Sequence, residues 1–199
     1  MIDIRNLSFD RPQKNILKQF NCQFHAKKLT LLSGANGSGK STLINLVGGV
    51  LKPSSGSITI NGIDIKNLSS REQSTLRSIA PQRRIFDLAF TVSETLAIIA
   101  KDQRAPHQTD VEKALEIGEI ADLRVTELSL GQQQRVSVAL ALIQDAPFYL
   151  LDEPLSAQDS SHKTATLDLL AHISKERGVI VVAHDADGYK ARFDGVINL

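Results

Sequence analysis

Long apolar runs are missing from this sequence, and so is any leader-like start. The longest candidate segments, residues 136–143 and 179–183, are far shorter than the roughly 20 apolar residues that a membrane-spanning helix requires. The N-terminus has no basic segment followed by an apolar one, so it does not predict a signal peptide. These absences predict a cytoplasmic chain that serves a membrane process only by docking on another subunit, peripherally on the inner face of the membrane.

The chain also has only one cysteine and almost no net charge. Cys22 is the only cysteine, so no internal disulfide can form, and we interpret it as a small core or half-buried residue. The 23 basic and 22 acidic residues leave a net charge of +1, which gives no electrostatic footprint for a nucleic-acid partner. A hydrophobic content of 42% over 199 residues is typical of one globular domain, with room for a smaller appended lobe.

Hydrophobic patterning predicts an α/β fold. The predicted strands are residues 2–5, 21–25, 29–32, 57–61, 148–151, 179–183 and 193–199. The predicted helices outside the middle of the chain are residues 41–51, 129–144 and 160–177. Because strands alternate with helices, we expect a mainly parallel sheet with both faces covered.

The middle of the chain has a different, helical pattern. Thr91-Val92-Ser93-Glu94 has the Thr-x-x-Glu form of a capping box, which marks a helix start. A second helix is predicted near Thr109. We therefore divide a single domain, residues 1–199, into a core (1–85 and 125–199) and a helical subdomain (about 86–124).

A phosphate-binding loop follows the strand predicted at residues 29–32. Residues 34–41 fit G-x-x-x-x-G-K-[ST] at every fixed position. Glycines let backbone N–H groups surround phosphate oxygens at a helix N-terminus, while Lys40 supplies a charge and the Ser41 hydroxyl can coordinate Mg²⁺. The predicted nucleotide-binding residues here are Gly34, Ala35, Asn36, Gly37, Ser38, Gly39, Lys40, Ser41 and Thr42.

Two carboxylates follow the apolar residues 148–151. A buried strand would deliver Asp152 to the carboxyl edge of the sheet, where it can hold Mg²⁺. Glu153 points differently because it is one residue further on, and it can orient or deprotonate the attacking water. The two motifs together predict a site for nucleotide phosphates and Mg²⁺, a combination that kinases and GTPases share.

One further motif narrows the class of nucleotide-binding protein. It comprises residues 128–135, Leu-Ser-Leu-Gly-Gln-Gln-Gln-Arg. This signature resembles the LSGGQ motif of the ABC ATPase family, with Leu130 in place of the usual glycine. Ser129, Gly131 and Gln132 keep the groups that would meet the nucleotide of a second subunit at a helix N-terminus. The resemblance covers essentially the whole chain. It implies a P-loop NTPase core with a mainly parallel sheet, an N-terminal antiparallel β subdomain and a small α-helical subdomain.

The same resemblance assigns further roles. Gln82 matches the Q-loop glutamine that reaches Mg²⁺, and His184 matches the switch histidine that contacts the γ-phosphate. Residues 156–159 match the D-loop, in which Ser156 and Asp159 are kept and Gln158 departs from the usual leucine. The implied catalytic residues are Lys40, Gln82, Glu153 and His184, and the implied magnesium ligands are Ser41, Gln82 and Asp152.

One further departure concerns the base. The family commonly stacks an aromatic residue on adenine, but here Arg11 stands at that position, after Phe9-Asp10. A guanidinium plane can also stack on a base, so we predict that Arg11 substitutes. The other four histidines, at positions 25, 107, 162 and 172, show no ligand spacing and are interpreted as ordinary surface or core residues.

The resemblance also implies partners. Two subunits, here a homodimer, would pair head to tail around ATP and would drive separate permease subunits, with a solute-binding protein as a possible companion of an importer. Residues 81–84, Asp87 and residues 90–92 resemble the Q-loop region of zinc and manganese importer ATPases, and siderophore and haem importers have a related Phe-Thr-Val at residues 90–92. The expected function is therefore import of metal ions or metal chelates. The alternatives are the ATPase of a small haem-exporter-like system, an accessory ATPase outside transport, or a soluble ATPase of DNA repair or translation.

Overall fold

The computed structural model describes residues 1–12, 14–99, 106–184 and 188–199 of the chain. The strands within these ranges are β1 (Ile2–Arg11), β2 (Lys14–Phe24), β3 (Leu29–Ser33), β4 (Ser55–Ile60), β5 (Ile63–Asp64), β6 (Arg77–Ala80), β7 (Phe148–Asp152), β8 (Gly178–Val182) and β9 (Gly195–Asn198). The α-helices there are α1 (Lys40–Val47), α2 (Ser70–Ser74), α3 (Val92–Ile99), α4 (Gln108–Ala114), α5 (Leu130–Leu142) and α6 (Ser160–Ile173). In the described part of the chain, no helix is both long and apolar enough to cross a membrane.

The first sheet is antiparallel and has the strand order β2-β1-β4-β5. Ile2 and Ile4 of β1 are buried while Arg5 is exposed, as expected for a sheet with one face against the core. The N-terminal antiparallel β subdomain is thereby confirmed. Its strands are longer than the alternating segments at residues 2–5 and 21–25 suggested.

The second sheet is parallel and has the order β6-β7-β8-β3-β9. All residues of β7 are buried, but they face two different clusters. Phe148 and Leu150 pack in the cluster that contains α1 and the first sheet, whereas Tyr149 and Leu151 pack in the cluster under α5. Both faces are therefore covered, which is why the strand reads as a continuous apolar run. The predicted α/β fold class is confirmed.

Local capping explains where α3 begins. The backbone N–H of Thr91 donates to the Glu94 carboxylate at 2.8 Å, and the N–H of Glu94 donates to the Thr91 hydroxyl at 3.2 Å, so the predicted capping box starts α3. Helix α4 lies where a second helix was expected. Residues 100–105 of the predicted helical subdomain lie outside the described residues, and the subdomain boundaries stay a prediction.

Several predicted elements have different extents. Helix α1 ends at Val47 rather than at residue 51, because Gly48 caps it and Gly49 turns away with a left-handed φ of 68°. Helix α6 ends at Ile173 rather than at residue 177. Sequence patterning missed α2 and the edge strand β6, which pairs in parallel with β7.

Candidate functional site

The phosphate loop lies between β3 and α1 and has the backbone that its glycines permit. Gly37 and Gly39 have φ of 76° and 108°, values at which an L side chain is strained. A Cβ on Gly34 would lie 2.5 Å from the carbonyl oxygen of Leu199, so the loop also needs glycine for space. Ala35 and Asn36 are exposed at the turn of the loop, and Thr42 is half-buried in the first turn of α1.

Lys40 is held inside this loop. Its side chain is buried, and Nζ donates to the carbonyl oxygens of Gly34 and Ala35 at 2.8 and 2.9 Å. The ammonium group is thus positioned by the backbone that precedes it. The neighbouring Ser38 hydroxyl is buried and has no hydrogen-bond partner among the described residues. A buried, unpartnered hydroxyl beside a fixed ammonium suits an incoming phosphate group.

Ser41 and Asp152 meet although 110 residues separate them in the chain. The Ser41 hydroxyl donates to Oδ1 of Asp152 at 3.1 Å. Asp152 is buried, and this burial raises the pKa of its carboxyl group, although the hydrogen bond from Ser41 acts in the opposite direction. A buried carboxylate beside a hydroxyl is the oxygen donor set that Mg²⁺ prefers, so the residues fit the ion that the sequence predicts.

Glu153 has an unusual backbone, which directs it away from Asp152. Its φ of 57° is left-handed, a conformation that costs a non-glycine residue about 1–3 kcal/mol and that is enriched at functional sites. Its N–H donates to the carbonyl of Val182 at 2.9 Å, which fixes it against the end of β8. Oε1 of Glu153 lies 2.9 Å from Nε2 of His184. Burial raises the pKa of Glu153, and the nearby imidazole of His184 offsets part of the rise.

The sheet explains why these groups converge. Strands β3, β8 and β7 are neighbours in the parallel sheet, and each ends at or shortly before a predicted site residue. The loop with Lys40 follows β3, Asp152 and Glu153 lie at the end of β7, and His184 follows β8. The carboxyl ends of parallel strands lie at one edge, where α/β folds bind ligands. Asp185, the residue after His184 in the matched motif, lies outside the described residues.

The signature begins α5 with a reciprocal cap. Ser129 is the N-cap: its hydroxyl accepts from the N–H of Gln132 at 3.3 Å, and the Gln132 side chain accepts from the N–H of Ser129 at 2.9 Å. The hydroxyl proton of Ser129 is not used by this cap and is available to a phosphate oxygen. The side chain of Leu130, which replaces a glycine in the motif, is 77% exposed.

Gly131 packs on the D-loop within the same chain. A Cβ at Gly131 would lie 2.6 Å from the carbonyl oxygen of Ala157, which itself has a left-handed φ of 56°. The D-loop is tied to the catalytic strand as well, because the Ser156 hydroxyl donates to the carbonyl of Glu153 at 2.9 Å. From the sequence, we expected Gly131 to be required only for contact with the nucleotide of a second subunit. In the structure, Gly131 is also required for packing against Ala157 of its own subunit.

Gln134 was not identified as a site residue from the sequence. Its side-chain NH₂ donates to the carbonyl of Glu153 at 3.0 Å, and the residue is buried. The contact joins α5 to the backbone of Glu153. Three consecutive glutamines follow the signature glycine, and nothing in the sequence distinguishes this one from its neighbours.

Gln82 and Arg11 are not joined to the central group. Gln82 is exposed and lines a cleft of about 800 Å³ with Gln134 and Ser156. Among the hydrogen bonds of the described residues, none connects Gln82 with Ser41 or Asp152. Arg11 is exposed at the end of β1. The magnesium role of Gln82 and the base-stacking role of Arg11 therefore stay predictions.

Comparison with known proteins gives a consistent answer. The ABC transporter family profile matches residues 17–156. The chain is 36% identical to the hemin import ATP-binding protein HmuV of Bordetella avium, over 94% of this chain and 77% of that protein. It is 34% identical to the manganese transport system ATP-binding protein MntB of Bacillus subtilis, over 100% and 82% of the two chains. A dimeric ATP-binding cassette in a post-hydrolysis state, bound to ADP and Pi, has a TM-score of 0.85 and 25% identity, over 100% of this chain and 94% of that one.

Proposed function

The chain belongs to the ABC transporter family and is an ATPase, and from that premise we propose that it powers import of a metal ion or metal chelate through a separate permease. The observation that carries the proposal is the meeting of Lys40, Asp152, Glu153 and His184 at the ends of three neighbouring parallel strands. This arrangement joins a phosphate site to a buried carboxylate next to an imidazole.

Binding of ATP rests on the loop between β3 and α1. Lys40 would exchange its bonds to the loop carbonyls for bonds to the terminal phosphates, and the Ser38 hydroxyl would gain a partner. Ser41 and Asp152 would hold Mg²⁺, which neutralises phosphate charge when bound. Gln82 would complete that site from the Q-loop, and Arg11 would contact the base.

Hydrolysis rests on Glu153 and His184. A carboxylate whose pKa is raised by burial is a better proton acceptor, so Glu153 is suited to orient the attacking water and to take its proton. Nε2 of His184 lies 2.9 Å from Oε1 of Glu153, but Oε1 has no hydrogen-bond partner among the described residues and so remains open to a water. His184 would donate to the γ-phosphate. Lys40 stabilises the charge that develops on the transferred phosphoryl group.

The working unit is a homodimer. Ser129, with its free hydroxyl proton at the N-terminus of α5, and Gly131 would contact the nucleotide held by the phosphate loop of a second copy. Ser156 and Asp159 of the D-loop would lie at the same interface. ATP would then favour the closed dimer by differential binding, and hydrolysis would release it.

The permease would dock on the apolar segment that follows the Q-loop. Ile85, Leu88 and Phe90 are 81%, 62% and 40% exposed, which is a high apolar exposure for six consecutive residues. A membrane subunit with an apolar contact helix would cover them. A solute-binding protein would deliver the substrate outside the membrane. The metal or metal-chelate class follows from the hemin and manganese systems of the similar proteins.

The ATPase assignment is tested by Glu153→Gln. We expect this variant to bind ATP with the affinity of the wild type and to lose steady-state hydrolysis, because a carboxamide cannot accept the proton of the attacking water. Glu176→Gln, at an exposed position beyond α6, is the matched control and should hydrolyse ATP normally. Unchanged turnover in Glu153→Gln would contradict the assignment of Glu153.

The transporter assignment is tested by recovering a tagged Glu153→Gln chain with ATP from native membranes. We expect a polytopic membrane protein in near-stoichiometric amount, identified by mass spectrometry. Leu88→Asp should abolish the recovery, whereas Val50→Asp, at an apolar position that is 66% exposed near the end of α1, should preserve it. Recovery of soluble partners alone would refute the permease and leave only the ATPase.

A further inference from the structure

His162 lies next to the signature and between two carboxylates from different parts of the chain. Its Nδ1 is 2.8 Å from Oδ2 of Asp159, at the end of the D-loop. Its Nε2 is 2.8 Å from Oε2 of Glu116, which follows α4. Glu116 belongs to the predicted helical subdomain, about residues 86–124, which we call the helical segment from here on. Arg135 of α5 places its Nη1 3.0 Å from the same Glu116 oxygen and 3.1 Å from Nε2 of His162. These four residues form what we name the His162 network.

The two short contacts with carboxylates favour the protonated ring, whereas the contact of Arg135 with Nε2 fits the neutral ring. A neutral imidazole has one N–H, so at one of its nitrogens a lone pair would face a carboxylate oxygen. The imidazolium donates at both nitrogens and bridges Asp159 to Glu116. The network is then neutral, with two cations, Arg135 and His162, and two anions. When the ring is neutral it can keep one donor bond to Asp159 and accept from Arg135 at Nε2, but the bond to Glu116 is lost.

The backbone at Glu116 supports a specific role for this residue. Glu116 follows the C-cap of α4 and has a left-handed φ of 49°, at a position where glycine is usual. A glutamate there costs of order 1–3 kcal/mol of backbone strain. The side chain that this backbone presents is the one that meets both Arg135 and His162.

Helix α5 connects this network to the catalytic strand. Gln134 donates to the carbonyl of Glu153 at 3.0 Å, and the next residue, Arg135, holds Glu116. The two ends of the segment from Glu153 to Asp159 are therefore both tied to the same turn of α5, one directly and the other through His162. The cleft beside them, about 230 Å³, is also lined by Ser129 and Gly131.

We propose that His162 is a positioning residue for ATP hydrolysis, whose imidazolium ties the D-loop to the helical segment and so fixes the face that carries Ser129 and Gly131. This inference rests on the proposed function, in which that face meets the nucleotide of a second copy. The signature and the D-loop keep their relative position while the ring bridges Glu116 and Asp159. Without the bridge, Arg135 alone among the four residues of the network joins the helical segment to this end of the D-loop, because it still donates to Glu116 and to Nε2 of the neutral ring.

The sign of the pH effect follows from the charged neighbours. The hydrogen bonds to Glu116 and then Asp159 raise the pKa of His162 above its ordinary 6.5. The pKa of Glu116 is lowered, chiefly by His162. The bridge is thus complete between the ordinary carboxyl pKa of 4.5 and the raised pKa of His162, and it is lost as pH rises through that value. The cleft where α4 packs on α6 is also lined by the charged or titratable residues Asp110, Lys113, Asp168 and His172.

The test compares His162→Gln with the wild type across pH in steady-state hydrolysis by the purified chain. We expect the wild-type kcat to exceed that of the variant about five-fold below pH 6.5, the size that a partly exposed charged pair supports, and the ratio to fall toward one as pH rises. KM for ATP should change less than kcat, because the network does not touch the phosphate loop that holds ATP in its own subunit. His172→Gln, on the same helix with a side chain 62% exposed, is the control and should match the wild type at every pH.

A second measurement does not depend on activity. The ring protons of His162, followed by NMR, should titrate above pH 6.5 in the wild type and lose that rise in Glu116→Gln. A kcat ratio that is constant with pH, or a titration unaffected by Glu116→Gln, would overturn the proposal. Normal turnover in Glu153→Gln would instead refute the proposed function and would leave the titration result intact.

Discussion

A methyl group at Gly131 would test the contact between the signature and the D-loop. The Cβ of Gly131→Ala would lie 2.6 Å from the carbonyl oxygen of Ala157 and 3.7 Å from its carbonyl carbon. The obstructing atom is backbone, so it cannot rotate away as a flexible side chain would. Gly131 does not have a positive φ, and alanine therefore meets no conformational strain of its own.

Two effects of opposite sign set the magnitude. Alanine favours a helix over glycine by up to about 1 kcal/mol, and by less in the first turn, where Gly131 lies. Overpacking a closed contact costs about 1–3 kcal/mol. The net loss of unfolding free energy is then about 1–2 kcal/mol, which lowers the melting temperature by about 2–8 °C for a chain of this size.

The effect on hydrolysis should be larger than the effect on stability. Displacement of Ala157 moves Ser156, whose hydroxyl donates to the carbonyl of Glu153. Glu153 already holds a left-handed backbone, so a small shift changes where its carboxylate points. We expect the steady-state rate to fall about ten-fold or more, which corresponds to about 1.4 kcal/mol of lost transition-state stabilisation.

Thermal unfolding without nucleotide and steady-state ATP hydrolysis are the assays. Gly118→Ala is the matched control, because a Cβ at Gly118 would meet no heavy atom within 4 Å and its φ is not positive. If Gly131→Ala had the same melting temperature as Gly118→Ala and hydrolysed ATP at the wild-type rate, the D-loop would not be packed on Gly131. The signature and the D-loop would then not be coupled within one subunit.

Two other substitutions address the supports of the site. Arg77→Met removes the buried guanidinium that donates to the carbonyls of Val47 and Gly48 at the end of α1. The free energy of unfolding, measured by denaturant titration, should therefore fall by about 1–3 kcal/mol. An unchanged midpoint would contradict this. Glu153→Gln should raise the melting temperature of the nucleotide-free chain at pH 7. Burial raises the folded-state pKa of Glu153 above its ordinary 4.5. Ionisation of this carboxyl group therefore lowers the free energy of unfolding as pH rises from 4.5 through the folded-state pKa. The gain should shrink toward pH 4.5, and a gain independent of pH would argue against the charge as its cause.

Motifs that fold locally were predictable from the sequence. Thr91 and Glu94 cap α3 by bonds within one turn, and the phosphate loop needs only its own glycines and the strand before it. Strand β7 was predictable because its two-sided burial makes the sequence continuously apolar. In each case the determining contacts lie within a few residues, or the burial is uniform.

Features that depend on distant contacts were not predictable. Strand β6 begins with Arg77, whose buried guanidinium donates to two carbonyls about 30 residues earlier in the chain as well as to the side chain of Gln73. His162 resembles an ordinary surface histidine until Glu116, 46 residues away, is placed beside it. Gln134 lies in a run of identical residues, and its contact with the carbonyl of Glu153 needs the fold to be known. Side-chain bridges of this kind have no characteristic residue spacing in the sequence, unlike metal ligands.

The adjacency of β3, β8 and β7 has a mechanical consequence. Backbone hydrogen bonds join β3 to β8 from Leu29 to Leu32, and join β8 to β7 along the whole of β7. The strands that lead to the lysine loop, the acidic pair and the histidine are therefore held in register by one sheet, so their backbones shift together. A movement of the helical segment against this sheet would leave those hydrogen bonds intact, and α5, which packs on both β7 and α4, would transmit it.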